Sequence, residues 1–327
     1  MRRSRAAFDK EQQMSNPARR DFLKQAAGAA GLAWLSAAVM DPPSRAAEPA
    51  AWTPRFAICN ETFENWPHQR VVEFVAECGY TGLEIAPFTI ATYVTDISAA
   101  RRTELRSQAE RAGLQILGLH WLLAKTEGLH LTTPDAGVRR KTADYLGELA
   151  RFCADLGGNV LVLGSPKQRN VLPGVTRQQA FDNAAEVLEK MLPVLEKTGV
   201  RVALEPLAPV ETNFMTHAAE AMELVRRIDA PQIQLLLDCK AMTGGEQQPI
   251  PDVIRRHHAA MIHFHANDPN LQGPGFGDLD FVPVFQALKD VAYRGWISVE
   301  VFDYAPGAER LARESLRYMR QCAKKIA

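Results

Sequence analysis

The sequence predicts a single-domain (β/α)8 barrel, preceded by an N-terminal signal segment. Three observations predict it. Beyond Arg55, eight short apolar, β-branched runs alternate with amphipathic stretches. The alternation fills about 270 residues, close to the roughly 250 that such a barrel takes. No GxGxxG follows the first run, so an open dinucleotide-binding sheet lacks its phosphate loop. No Pro/Gly/Ser-rich linker interrupts residues 48–327, which are therefore read as one domain.

The strand expectations are Phe56–Cys59, Gly82–Ile85, Gln115–Leu119, Val160–Leu163, Val202–Leu204, Gln234–Leu237, Met261–Phe264 and Ile297–Val299. Between them, Arg70–Cys78, Ala99–Ala112, Ala136–Leu156, Arg177–Lys197 and His217–Ile228 carry helical periodicity, and Ala308–Lys325 closes the chain. Ser98, Thr133 before Pro134, Thr176 and Thr216 are the expected N-caps, because their hydroxyls can accept from orphan backbone N–H groups. Gly79, Gly113, Gly157 and Gly199 are the expected stops. The longer connections, Trp121–Pro134 and Ser165–Thr176, follow strands three and four, the side on which barrel loops shape a substrate pocket.

Residues 1–47 read as a signal. Arg19 and Arg20 precede Phe22-Leu23-Lys24, an alanine-rich apolar run extends from Ala26 to Val39, and Ser44-Arg45-Ala46-Ala47 offers small residues for cleavage. The run is about 14 residues, too short to span roughly 30 Å of hydrocarbon. The arginine pair resembles the twin-arginine signal, with Ala18 where Ser or Thr is usual. That resemblance implies the twin-arginine export machinery as a partner, transport of a folded protein, and a periplasmic location.

Hydrophobic content of 46% and charged content of 23% are ordinary for a globular chain. Formal net charge is zero, but residues 1–47 hold eight basic and four acidic side chains, leaving 30 against 34 beyond them. A mildly acidic body does not attract phosphate backbones, so no nucleic-acid partner is expected. Cys59, Cys78, Cys153, Cys239 and Cys322 form no CxxC pair and read as buried thiols.

The chemistry gathers in the C-terminal half. Glu205, Asp238, His265 and Glu300 end strands five to eight, separated by 33, 27 and 35 residues, each about one βα unit. In a parallel barrel those strand ends converge on one mouth. Three carboxylates and an imidazole suit one hard divalent cation, Mn2+, Mg2+ or Co2+, better than a thiolate-type zinc site. A cation there polarises a substrate carbonyl, and Glu205 and Glu300 on opposite sides can remove and return the proton on the adjacent carbon. Any one of the four alone would more simply be a helix cap or surface acid. Glu84 near the end of strand two and His120 after strand three are further substrate-contact candidates, with core pairing as the competing reading. Ser165 to Arg169 offers donors for hydroxyls, His263 lies deeper than His265, and Trp66 and Trp121 are candidate sugar-stacking rings. His257-His258 reads as an exposed helix end.

On the segments GYTGLEI (79–85), ALEPLAPVETNF (203–214), LLLDCKAM (235–242), HFHANDPNLQGPGFGDLDF (263–281) and SVEVF (298–302), residues 55–325 resemble the xylose-isomerase-like TIM-barrel superfamily of sugar isomerases and epimerases. In its ketose 3-epimerase branch a Glu-Pro dipeptide supplies a ligand and base, matching Glu205-Pro206. A second Glu six residues later holds substrate hydroxyls, matching Glu211, and the remaining ligands match Asp238, His265 and Glu300. The chain departs from that branch at Ala241, where a His is usual, and at Leu271, where an Arg is usual. Lys240 and Lys167 are the candidate replacement charges. The resemblance implies a metal-dependent sugar isomerase or epimerase acting on a small sugar or polyol, with homo-oligomers common. A lyase or dehydratase acting on a keto-sugar, inosose or 3-keto-glycoside shares the same first proton abstraction. Two other classes are an apurinic-site endonuclease, disfavoured by charge and by too few histidines, and a non-catalytic sugar binder, for which two opposed bases are superfluous.

Overall fold

A computed structural model describes residues 52–326; the signal expected in residues 1–47 lies outside them. Eight strands form a closed, all-parallel barrel in chain order. They are β1 (Arg55–Cys59), β2 (Gly82–Ile85), β3 (Gln115–Leu119), β4 (Val160–Leu163), β5 (Arg201–Leu204), β6 (Ile233–Asp238), β7 (Met261–Ala266) and β8 (Trp296–Val299). The pairing of Phe56 with Ile297 and of Ile58 with Val299 closes the ring between β1 and β8.

The helices are α1 (His68–Cys78), α2 (Ala99–Arg111), α3 (Ala136–Asp155), α4 (Arg177–Thr198), α5 (Ala218–Ile228), α6 (Cys239–Gly245), α7 (Ile250–His257), α8 (Phe281–Asp290) and α9 (Ala308–Lys325). Ser98 caps α2, and Thr176 with Gln179 forms a reciprocal capping box on α4. Two expected caps are corrected. The Thr133 hydroxyl accepts from Asp135 N, and the Asp135 carboxylate instead caps α3 through Gly137 and Val138. Thr216 precedes the N-cap His217, and its hydroxyl faces Glu220 rather than a helix N–H. The short α6 was not expected. It follows β6 without a loop because Asp238 ends the strand and caps the helix, its Oδ1 accepting from Ala241 N at 2.6 Å.

The period-2 pleat sorts the side chains into two cores. Alternate positions such as Ile58, Leu83, Leu204 and Phe264 pack outward against the helices. The inward positions form layers. In β5 they run Arg201, Ala203, Glu205, and in β8 Trp296, Ser298, Glu300. The barrel interior holds Val160, Val162, Ala203 and Leu236 in one cluster and Ala57, Leu117 and Trp296 in another. A Cβ on Gly82 would meet the Trp296 ring at 2.6 Å, so glycine there makes room for the indole. The inward acids of β5, β6 and β8 stand at the upper end, a buried polar layer of Glu84, His263 and Ser298 lies beneath them, and Ala57, Leu117, Val162, Ala203 and Leu236 pack among and below these.

Candidate metal centre and pocket

Glu205 follows β5, Asp238 ends β6, His265 lies in β7 and Glu300 follows β8. One ligand atom from each comes within 4.8 Å of all the others. His265 Nδ1 lies 3.0 Å from Glu300 Oε2, 3.4 Å from Glu205 Oε1 and 4.0 Å from Asp238 Oδ2. His265 Nδ1 and Glu300 Oε2 are nevertheless both buried without a hydrogen-bond partner. Two such atoms facing one point, inside a set of three carboxylates, fit a cation at their centre.

Surrounding groups hold each ligand in place. The other ring nitrogen of His265 faces both Glu84 oxygens at 3.3 Å, the carboxylate–histidine arrangement that fixes a metal-ligating imidazole. Asn267 Nδ2 donates to Asp238 Oδ2, while Asn267 Oδ1 accepts from Lys240 N at 2.8 Å. Trp121 Nε1 donates to Glu300 Oε1 at 3.0 Å, leaving Oε2 for the cluster. The Glu205 backbone is clamped by buried Arg169, whose guanidinium donates to the carbonyls of Glu205 at 2.6 Å, Leu163 at 3.3 Å and Met215 at 3.3 Å. Burial pulls the Arg169 guanidinium down to about 10, still cationic at neutral pH. Gly164 lies so close that an added Cβ would sit 2.2 Å from Glu205 Oε2.

The electrostatics of the metal-free cluster are those of crowded acids. Burial, aided by the Glu205 and Glu300 carboxylates, pushes Asp238 up to about 7. Burial raises Glu205 as well. Burial also acts to raise Glu300, but the His265 and His120 charges outweigh it and hold Glu300 low. Burial would lower His265, yet the Glu300 and Glu84 carboxylates prevail and hold it well above the usual imidazole range. A divalent cation would relieve the crowding by replacing the protons that Asp238 and His265 retain.

Above the cluster opens a pocket of about 350 Å³, lined among others by Trp121, Lys125, Ser165, Lys167, Glu205, Glu211, Glu300 and Phe302. The loops after β3 and β4 supply half of that wall, as their lengths suggested. Lys240 Nζ donates to Glu211 Oε1 at 2.7 Å and lies 3.9 Å from the centre of the Phe302 ring. Burial would lower Lys240, but Asp238 and Glu211 keep it cationic. Lys167 stands exposed on the rim.

Two expected substrate contacts are corrected. Glu84 and His120 are each 0% exposed and do not line the pocket. Glu84 lies beneath the cluster, accepting from His263 Nε2 at 2.9 Å. His120 is held by Glu61 at 2.6 Å; burial would lower it, but Glu61 dominates and lifts it to about 9. Trp66 packs against Phe63 and Phe74, with Arg70 over its ring, outside this pocket. Arg169, expected among the donors for hydroxyls, is instead buried and spends its guanidinium on backbone carbonyls. Glu61, Asn267 and Phe302 were missed. Glu61 had a signal, an acid two residues beyond β1, and so had Asn267 beside Asp268 after β7.

The model of the xylose isomerase-like TIM barrel family matches residues 72–322. A probable ketose 3-epimerase of Synechocystis is 28% identical over 268 residues, 74% of this chain and 86% of that one. A 3-dehydro-D-guloside 4-epimerase of Escherichia coli strain K12 is 23% identical, over 76% of this chain and 92% of its own. Among solved structures, D-psicose 3-epimerase of Clostridium cellulolyticum H10 with D-tagatose aligns at a TM-score of 0.72 and 21% identity, covering 82% of this chain and 99% of that one. The match in structure establishes the shared barrel.

Proposed function

Because the chain belongs to the xylose isomerase-like TIM barrel family, we propose that it is a divalent-metal-dependent sugar epimerase that moves a proton beside a carbonyl. The curated relatives are named as sugar epimerases, which are isomerases. The observation that carries the reading is the convergence of Glu205, Asp238, His265 and Glu300 on one point at the floor of the pocket. These four would hold the ion, with Mn2+, Mg2+ and Co2+ the candidates on donor chemistry. Bound there, a divalent cation supplies Lewis acidity that makes a proton beside a substrate carbonyl removable.

The remaining work falls to the protein. Glu205 and Glu300 rise from strands β5 and β8, on different sides of the mouth. One carboxylate takes the proton, and the other returns a proton to the opposite face, inverting the carbon. Trp121 donates to one oxygen of the Glu300 carboxylate, Arg169 fixes the Glu205 backbone, and Gly164 leaves room for the Glu205 carboxylate. The Glu211–Lys240 pair offers an acceptor and a donor for substrate hydroxyls. Lys240 and rim Lys167 take the cationic part that the ketose 3-epimerase branch gives to a His and an Arg, here Ala241 and Leu271. An elimination would begin with the same abstraction, but no relative named above supports it.

The test is proton NMR of a ketose and keto-glycoside panel in D2O, with the Mn2+-reconstituted protein at catalytic concentration. Deuterium should enter at the carbon beside the carbonyl with formation of the epimer. A metal-loaded, folded protein that exchanges no member of the panel refutes the reading. The signal in residues 1–47 extends the proposal to export by the twin-arginine route. Lysine replacements at Arg19 and Arg20 should then retain the enzyme in the cytoplasm in a fractionation assay.

A further inference from the structure

At the end of the barrel opposite the candidate metal centre, the starts of β1, β3, β4, β5, β7 and β8 surround another cavity, of about 440 Å³. Among the described residues, its charged lining residues are Arg55, Arg201 and Arg294, joined by His258, and no carboxylate lines it. This runs against the composition of residues 48–327, where acids outnumber bases.

Two of the guanidinium groups are positioned without being neutralised. Arg55 donates to the amide oxygen of Gln115 at 3.0 Å and lies 3.8 Å over the Trp296 ring. Arg201 donates to the amide oxygen of Gln234 at 3.2 Å. Amide and indole partners orient a guanidinium and leave its charge intact. Elsewhere on the barrel, surface arginines such as Arg102, Arg139 and Arg255 are paired with carboxylates. The floor is rigid: Tyr293 donates to the Trp296 carbonyl at 3.0 Å, and Ala292 turns the chain at φ 51° to carry Arg294 to the cavity wall. His258 is oriented through its Nδ1, 2.8 Å from the Arg255 carbonyl.

We propose that this cavity is a binding site for a small phosphorylated ligand. Fixed guanidinium forks match phosphate oxygens two at a time, and several forks at one cavity favour more than one charge on the ligand. The site is independent of the epimerase reading and shares with the metal centre only the strands between them.

Isothermal titration of the full chain freed of divalent metal, so that no probe acts as a chelator, with inorganic pyrophosphate, glucose 6-phosphate and citrate tests the proposal at low and high NaCl. Pyrophosphate should bind once per chain, more weakly as salt rises, and should perturb tryptophan emission in a way that Trp296→Phe removes. Arg201→Gln should weaken binding about tenfold or more, and Arg201→Lys less, because lysine keeps the charge without the fork. Glucose 6-phosphate binding that matches pyrophosphate supports a phosphate-ester ligand; citrate binding tightest of the three overturns the phosphate assignment. Absence of pyrophosphate binding at millimolar concentration overturns the site. So does an affinity unchanged in the Arg55→Gln/Arg201→Gln double variant, shown to be folded by circular dichroism.

Discussion

Glu205 and Glu300 stand at the upper ends of β5 and β8; on the same inward faces, four residues earlier, stand Arg201 and Trp296 at the lower ends. The strands are shared, yet the two ends solve opposite problems. At the mouth, acids are packed together with atoms left unpartnered toward a common centre. At the base, cations are spread around a cavity and rest on neutral partners. The two ends share their backbone strain: Trp121, Ser165, Met215 and Leu271, in loops after β3, β4, β5 and β7, hold positive φ without being glycine, and so do Asp229 and Ala292 on the side of the base. Such strain costs on the order of 1–3 kcal/mol per residue and persists where surrounding contacts enforce it. The comparison teaches that one barrel carries opposite unbalanced charge at its two ends, so that a cation would relieve the crowding at the mouth and an anion the crowding at the base.

The sharpest way to break that contrast is at Glu300. Glu300→Gln keeps the Trp121 hydrogen bond and the shape of the side chain but removes the base. Exchange measured by NMR should fall by about 10²- to 10⁴-fold, the usual contribution of a positioned base. Glu205→Gln should behave alike. Retention of wild-type exchange by either variant removes the two-base account while leaving the metal site standing.

Removing the ion should have the next largest effect. A cation present at about a thousand times its Kd stabilises the fold by about 4 kcal/mol, which a chelator would withdraw as a drop in Tm. The metal-free protein should also respond to pH with a definite sign. Asp238 sits at about 7 in the fold, above the ordinary value of about 3.9. The fold therefore holds the proton more tightly than the unfolded chain. That contribution to stability is complete below about pH 4 and is lost as pH rises toward 7. Metal uptake must expel the same proton, so titration in buffers of different ionisation heat should show more proton release at pH 6 than at pH 8. A metal-free Tm that climbs from pH 4.5 to 7.5 contradicts the crowded-acid picture.

A smaller effect should come from Gly164→Ala. The added methyl collides with Glu205 Oε2, and the neighbouring backbone is held by the Arg169 clamp. The carboxylate must move, and a displacement near 1 Å at a reacting group can cost up to about a hundredfold. The loss should appear in kcat with Tm little changed.

Much of this was legible in the sequence, for reasons that particular residues make plain. The strands were legible because each is a short apolar run, most with a polar residue at the exit, as in Val202–Leu204 before Glu205. The convergence of Glu205, Asp238, His265 and Glu300 was legible because parallel strands in a closed barrel bring their exits together whatever lies between them. Glu84 and His120 were misplaced because the pleat gives a side chain's face but not its depth. Each points inward, yet one lies under His265 and the other behind Glu61. The clamp role of Arg169, read in sequence only as a donor for hydroxyls, and the basic cavity were invisible because both arise from tertiary contacts across distant strands. Arg201 reads, in sequence, as a charged residue starting a strand and nothing more.

The smallest expected effect separates chemistry from scaffolding. The loop after β4 carries Ser165, Lys167 and Arg169 and ends at Thr176, whose hydroxyl accepts from Gln179 N at 3.2 Å to start α4. Thr176→Ala should cost about 1 kcal/mol, the usual value of an N-cap. For a domain of this size that is a fall in Tm of about 2–4 °C. Exchange should stay near wild type, because Arg169 is anchored by three carbonyls of the barrel and its neighbours rather than by the helix start. If exchange instead falls as far as in Gly164→Ala, the ordering of the whole loop is coupled to Glu205. The clamp would then have to be described as one structure running from Gly164 to α4.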